Sequence, residues 1–481
     1  MNAMPDFESY DALGLAKLVK DRQVTAGELL QTAIERVEAR NPKINAVVSK
    51  LYDEAKAQIA AGLPDGAFAG VPFLLKDLGL QLAGTVTSGG SNFFADARAD
   101  HDSELVARYK RAGLVIFGKT NTSEFGLSTS TEPRLHGPTR NPWNLEHSAG
   151  GSSGGAAAAV AAGMLPLANA SDGGGSIRVP ASCCGLFGLK PTRARVPMGP
   201  DVGEGWSGSS VVHAVSRSVR DSAALLDATA GPDIGDPYFA PPQERPYLAE
   251  VGQSPGRLKI AMTTKAWNGQ PVDEDCARAV HQAAQLCERL GHHIEEASPA
   301  IPATELAAAN RVIISANVRA SLEARGKALG REPKAGDVEG ITWTMSEYGR
   351  TARASDYAAA IQVLHRTGRI VGRFLTQYDM LLTPTQCRPP HRLGVLDMMT
   401  GDTKAFTEAI FGTIAFTAPF NATGNPAMSV PLGWSQAGLP IGIQFVGPFG
   451  DEATLFRLAA QLEAIEPWAH RRPPLAAQPV A

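Results

Sequence analysis

With 481 residues, 44% of them hydrophobic, the chain can bury a large core in one domain or two closely joined ones. Its formal net charge of -3 excludes the basic footprint that nucleic acid or an anionic membrane would call for. Five cysteines without a C-x-x-C spacing and ten scattered histidines without a His-Glu-x-x-His pattern offer neither a disulfide framework nor a metal site.

In chain order, residues 1–10 carry Asp6 and Glu8 and lack the basic and apolar regions of a secretory leader, so a reducing, cytoplasmic setting is expected. Thr25 and Glu28 have capping-box spacing, and Leu29, Leu30, Ala33, Ile34 and Val37 recur with a helical period. That pattern predicts a helix. The apolar run 44–48 follows Asn41-Pro42 and reads as a strand or its approach. A helix over 103–113, a buried strand over 114–118, a helix over 156–164 and a short buried strand over 165–170 continue the alternation, which favours a largely parallel α/β sheet. The stretch 155–170 is the most membrane-like, but it is mostly Ala and Gly, contains Pro166 and falls short of the roughly 20 apolar residues a span needs. After Gly231, the prolines at 241, 242 and 246 mark a surface excursion, and 280–290 and 303–329 read as helices of an insertion beside the sheet. Residues 380–382 and 441–446 return as buried strands before a helix capped at Asp451.

Chemistry concentrates in two Gly/Ser segments. Gly150-Gly151-Ser152-Ser153-Gly154-Gly155 precedes a run of alanines, and Ser171-Asp172-Gly173-Gly174-Gly175-Ser176-Ile177-Arg178 follows the strand at Leu165. Alone, either could be a flexible linker, but linkers are not normally followed at once by helix-forming alanines. Gly173, Gly174 and Gly175 leave successive backbone N–H groups unshielded just before a hydroxyl, a nest suited to an oxyanion. A serine so placed needs a base. Lys76 ends the apolar run Gly70-Val71-Pro72-Phe73-Leu74-Leu75, where burial would disfavour its ammonium form and fit it to accept a proton. The plainer reading pairs Lys76 with Asp77.

Taken together, these segments closely resemble the amidase signature family. The run from Gly150 to Pro180 is similar to the family's defining signature throughout. The resemblance continues in Val71 to Asp77, Gly118-Lys119-Thr120-Asn121, Asn141-Pro142-Trp143-Asn144, Gly188-Leu189-Lys190-Pro191-Thr192 and Gly438-Leu439-Pro440-Ile441-Gly442. It implies an α/β amidase signature fold, a central mixed β-sheet covered by α-helices on both faces. One amidase domain over 1–481 is expected, with a signature core at about 60–230 and a helical insertion at about 270–375. It further implies Ser176 as nucleophile, Ser152 on a cis peptide as the bridging serine, Lys76 as base, and the amides of Gly173, Gly174, Gly175 and Ser176 as the oxyanion hole. Asp172, Arg178 and Ser153 would brace the loop. The substrate would be a small-molecule amide, with no metal and no organic cofactor, no nucleic-acid or membrane partner, and room for a homodimer. Gly173 departs from the family, which commonly has a bulkier residue there, usually threonine; the expected consequence is a higher entropy cost of ordering the loop.

Ile341-Thr342-Trp343, Trp468 and Arg471-Arg472-Pro473 look most like members that hydrolyse the 6-aminohexanoate cyclic dimer. Pocket walls are expected from 129–136, 198–206 and 416–421, and in particular from Trp206, Asn317, Trp343 and Phe416. Two rivals compete. Ser152 and Ser153 both satisfy Gly-x-Ser-x-Gly, the elbow of an α/β-hydrolase-type esterase, although 138–147 is too polar for the buried strand an elbow must follow. The second is a non-catalytic or assembly role, such as the glutaminase subunit of a tRNA amidotransferase, which shares the signature.

Overall fold

The computed structural model describes residue 4 and residues 6–476; part of the N-terminal stretch considered above, residues 1–3 and 5, lies outside the described residues. The capping box at Thr25 and Glu28 is formed in both directions and starts a helix, Ala26–Ile44, whose residues Leu29, Leu30, Ala33, Ile34 and Val37 are buried. The chain turns out of it at Asn45, in the left-handed region.

Strands β1 (Val47–Lys50), β2 (Pro72–Lys76) and β3 (Val115–Thr120) form a three-stranded sheet in the order β1-β3-β2, with β2 and β3 parallel. Every residue of β2 is buried, so Pro72-Phe73-Leu74-Leu75 carries Lys76 into the interior at the last position of the strand. A ribbon of β4 (Arg140–Asn141) and β5 (Asn144–Ser148) precedes the first serine loop. The main sheet collects β6 (Leu167–Asp172), β7 (Phe187–Lys190), β8 (Val211–Ser216), β9 (Lys259–Met262), β10 (His293–Glu296), β11 (Met380–Pro384), β12 (Ala427–Trp434) and β13 (Pro440–Val446). Their order is β10-β9-β11-β13-β12-β7-β8-β6.

The sheet is mixed, and this corrects the largely parallel arrangement read from the alternation of helices and strands. Of its seven pairings, only β10 with β9 and β9 with β11 are parallel; the other five are antiparallel. A helix between two strands permits a parallel crossover but does not make them neighbours: β6 and β7 flank the helix Arg178–Cys184, yet β8 lies between them. The middle segment also differs from the expected insertion beside the sheet, because β9 and β10 are its edge. They are four residues long, and the charged Lys259, Glu295 and Glu296 hid them from an apolar-run reading.

The alanine run forms a helix, Gly154–Ala161, buried at every position against the sheet. No helix among the described residues is long and apolar enough to cross a membrane. Gly340–Thr351 and Ala354–Phe374 both pack on Ala303–Ala328, and Ala354–Phe374 also meets the short helix Ala418–Thr423. The closing helix, Glu452–Ile465, begins at Asp451, whose carboxylate accepts the Thr454 amide at 3.0 Å.

Candidate active site

Alternation along β6 puts Asn169 and Ser171 on one face of the strand, toward β2. Asn169 Oδ1 accepts the Lys76 amide at 3.1 Å, and its Nδ2 donates to Tyr109 Oη and the His213 carbonyl at 3.1 Å each. This fixes the end of β2. The Lys76 amine then donates to Ser152 Oγ at 2.7 Å and to Ser171 Oγ at 2.9 Å. Its supposed partner is engaged elsewhere: Asp77 accepts the amide of Ser88 at 3.1 Å and the Ser88 hydroxyl. Lys76 is fully buried, and desolvation pulls its pKa down to about 7, with the charge of Asp172 opposing.

The Gly151–Ser152 peptide is cis. Ser153 accepts the Ser171 amide at 3.3 Å and donates to the Ser171 carbonyl at 3.2 Å, joining the first serine loop to the start of the second. Because β5 belongs to the ribbon and not to the main sheet, Ser152 does not follow a central strand as an α/β-hydrolase elbow requires.

The second loop winds around Asp172. This buried carboxylate accepts the amides of Gly175 at 2.7 Å and Ile177 at 3.1 Å. From the Arg178 guanidinium it takes Nε at 3.0 Å and Nη2 at 2.9 Å, and Asn421 Nδ2 adds a bond at 2.9 Å. Arg178 in turn donates to the Thr417 carbonyl at 3.0 Å, Gln444 Oε1 at 2.8 Å and Asn421 Oδ1 at 2.7 Å. Burial alone would raise the Asp172 pKa; the charge and hydrogen bonds of Arg178, with Lys190 and Asn421, hold it well below the usual carboxylate range. Both ions are thus satisfied, and the loop's conformation is set from behind.

One consequence narrows the reading of the glycine nest. The Gly175 N–H is committed to Asp172, whereas the amides of Gly173, Gly174 and Ser176 are engaged by no acceptor among the described residues. Gly175 itself has φ 136°, and a Cβ there would fall 2.5 Å from Thr417 Oγ1, so only glycine fits. Ser176 is buried at the loop's end, and no hydrogen bond among the described residues joins it to Ser152. Such contacts often tighten only around substrate.

The pocket candidates lie in different places. Trp206 packs against Gly173. Asn317, on the helix Ala303–Ala328, donates to Tyr357 Oη at 3.2 Å. Trp343 packs with Phe93, Val318 and Leu322, beside Phe125 and Leu127. Phe416 has no exposed surface and packs with Cys387 and Ala415 against Trp267. Sequence reasoning missed Asn169 and Ser171, although two polar residues at alternate positions of an apolar strand were a usable signal. Asn421 was included only as the end of a pocket range, and Gln444 had no local signal, since its partner Arg178 is 266 residues away.

Comparison with known proteins agrees with this architecture. The model of the Amidase family matches residues 28–456, and the chain belongs to that family: it is an amidase, a hydrolase of amide bonds. It is 39% identical over 477 residues to the 6-aminohexanoate-cyclic-dimer hydrolase of Paenarthrobacter ureafaciens, covering 97% of this chain and 96% of that one. A solved structure of 6-aminohexanoate cyclic dimer hydrolase complexed with substrate superposes with a TM-score of 0.92 at 38% identity, over 98% of this chain and all of the other. A bacterial aryl acylamidase of the amidase signature family follows, with a TM-score of 0.90 at 29% identity over 98% of this chain and 99% of that one.

Proposed function

We propose that the chain hydrolyses a carboxamide through an acyl-enzyme on Ser176, with Ser152 and Lys76 as the proton relay. The observation that carries this reading is the buried Lys76 amine, drawn down to about 7, held 2.7 Å from Ser152 Oγ. A neutral amine accepts the Ser152 proton while Ser152 takes the proton of Ser176, whose oxygen attacks the amide carbonyl. The negative charge that develops on the carbonyl oxygen meets the free amides of Gly173, Gly174 and Ser176. As the carbon–nitrogen bond breaks, the proton returns along the same path to the leaving amine. Water, deprotonated by the relay, then releases the carboxylate and regenerates Ser176.

No step calls on a metal or organic cofactor. Five free, buried cysteines support a cytoplasmic setting. The 39% identity to a cyclic-dimer hydrolase supports amides of ω-amino acids, cyclic ones included, as the substrate class. The test is a panel of cyclic, linear and aryl amides and glutamine, assayed with the pure chain and with Ser176→Ala. Turnover of the 6-aminohexanoate cyclic dimer by the parent, lost in Ser176→Ala, is the expected outcome. Hydrolysis of glutamine alone would point to a glutaminase subunit, and retained activity in Ser176→Ala would remove the mechanism.

A further inference from the structure

The absence of a side chain at residue 173 has a spatial cause. A Cβ built on Gly173 would lie 2.5 Å from Cζ3 and 2.7 Å from Cε3 of Trp206, far inside contact distance. The edge of the indole therefore sits directly on the backbone of the loop that ends in Ser176, and a side chain at 173 and this ring position exclude each other.

The backbone that carries the ring is also held. Trp206 and Ser207 both take positive φ, 51° and 52°, a conformation that residues other than glycine adopt rarely and that an aromatic residue keeps only where its surroundings impose it. Ser207 Oγ lies 2.8 Å from Tyr357 Oη, which also accepts Asn317 Nδ2 at 3.2 Å, so the segment is tied to the helices Ala303–Ala328 and Ala354–Phe374. On the other side, Asn421 Nδ2 donates to the carbonyls of Ser209 at 3.0 Å and Asp172 at 2.9 Å. Arg193 Nε donates to the Gly208 carbonyl at 2.7 Å. Trp206 is only partly buried, and the edge of its indole lies against the loop that carries the unengaged amides of Gly173 and Gly174.

We infer that Trp206 is a specificity-determining residue: its indole is a fixed flat wall beside the carbonyl-binding amides, which admits unbranched polymethylene acyl chains and rejects acyl groups branched next to the carbonyl. An apolar chain lying along the ring face gains contact at no cost in desolvated polar groups. A branch at the carbon beside the carbonyl meets the ring edge-on, and the tethers at Ser207, Gly208 and Ser209 hold the backbone from which the ring projects.

This inference rests on the amidase reading, and two isomeric primary amides of the same formula, hexanamide and 2-ethylbutanamide, separate the two. Ammonia release by the parent should favour the linear amide; in Trp206→Ala, the linear-to-branched ratio of kcat/KM should fall at least about tenfold, the scale on which a pocket distinguishes one or two methylenes. Gly173→Thr should lower kcat/KM for both amides by about 100-fold, the scale of a misplaced reacting group. Adding Trp206→Ala to it should recover at least about tenfold, because the space contested by the two side chains is freed. Circular dichroism shows which variants fold. An unchanged ratio in a folded Trp206→Ala, or a double variant no better than Gly173→Thr, overturns the inference while leaving the amidase reading intact. A parent that releases ammonia from neither these amides nor any other sinks both.

Discussion

Lys76 and Lys190 close two wholly buried strands, β2 and β7, and burial draws both amines down to about 7. Their surroundings then diverge. The Lys76 amine faces two hydroxyls, Ser152 and Ser171, each of which can exchange a proton. The Lys190 amine donates to the Pro191 carbonyl at 2.8 Å, which has no proton to give, and the charges of Arg178 and Arg193 add to its desolvation while Asp172 and Glu452 oppose it. A depressed pKa therefore marks a buried amine and no more; the atoms the amine touches decide whether it can relay a proton.

The sharpest way to break this comparison is to remove each amine in turn. Lys76→Met should lower kcat/KM by about 10⁴-fold or more, as loss of a member of a catalytic unit does, with the fold intact by circular dichroism. Lys190→Met should keep activity within about tenfold, and its cost should appear in urea unfolding, at about 1–3 kcal/mol for the Pro191 carbonyl left unpaired. Comparable losses of activity in the two variants would show that partner atoms do not separate them.

Asp172 acts on both lysines, so its removal tests what they share. Asp172→Asn leaves the Arg178 guanidinium buried without its counter-ion and should destabilise the chain by about 3–5 kcal/mol in urea unfolding. The sign with pH follows from the direction of the shift. A carboxylate held low in the folded state contributes fully above its ordinary pKa of about 4, and that contribution fades as the pH falls below it. The parent's unfolding midpoint should therefore drop with acidification, and that of Asp172→Asn should drop less. Ser171→Ala, which takes one of two hydroxyls from Lys76, should have the smallest effect, about fivefold in kcat/KM for one hydrogen bond. A loss as large as that of Lys76→Met would move Ser171 into the relay itself.

Local signals carried the sequence reading far in some places. The capping box at Thr25 and Glu28, the alanine helix after Ser153 and the apolar run that buries Lys76 each follow from a handful of adjacent residues. The sheet order did not, because strands such as β9 and β10 are short and charged and their neighbours are set by tertiary packing. In the candidate site, the meeting of Lys76 with Ser152 and of Asp172 with Arg178 was legible, whereas no hydrogen bond among the described residues joins Ser176 to them. The direction of the Gly175 amide was not, since it depends on the carboxylate buried behind it. Gly173 was legible as an oddity with an entropy cost of ordering, but its spatial reason was not: the structure fills the space of a side chain with the indole of Trp206.

The most direct test is the pH dependence of kcat/KM in the parent and in Lys190→Met, measured from about pH 5 to 9 on one amide. A single ascending limb centred near 7, the same in both proteins, is the result expected if the free enzyme must hold Lys76 uncharged. A flat profile, or a limb that disappears with Lys190→Met, would contradict it.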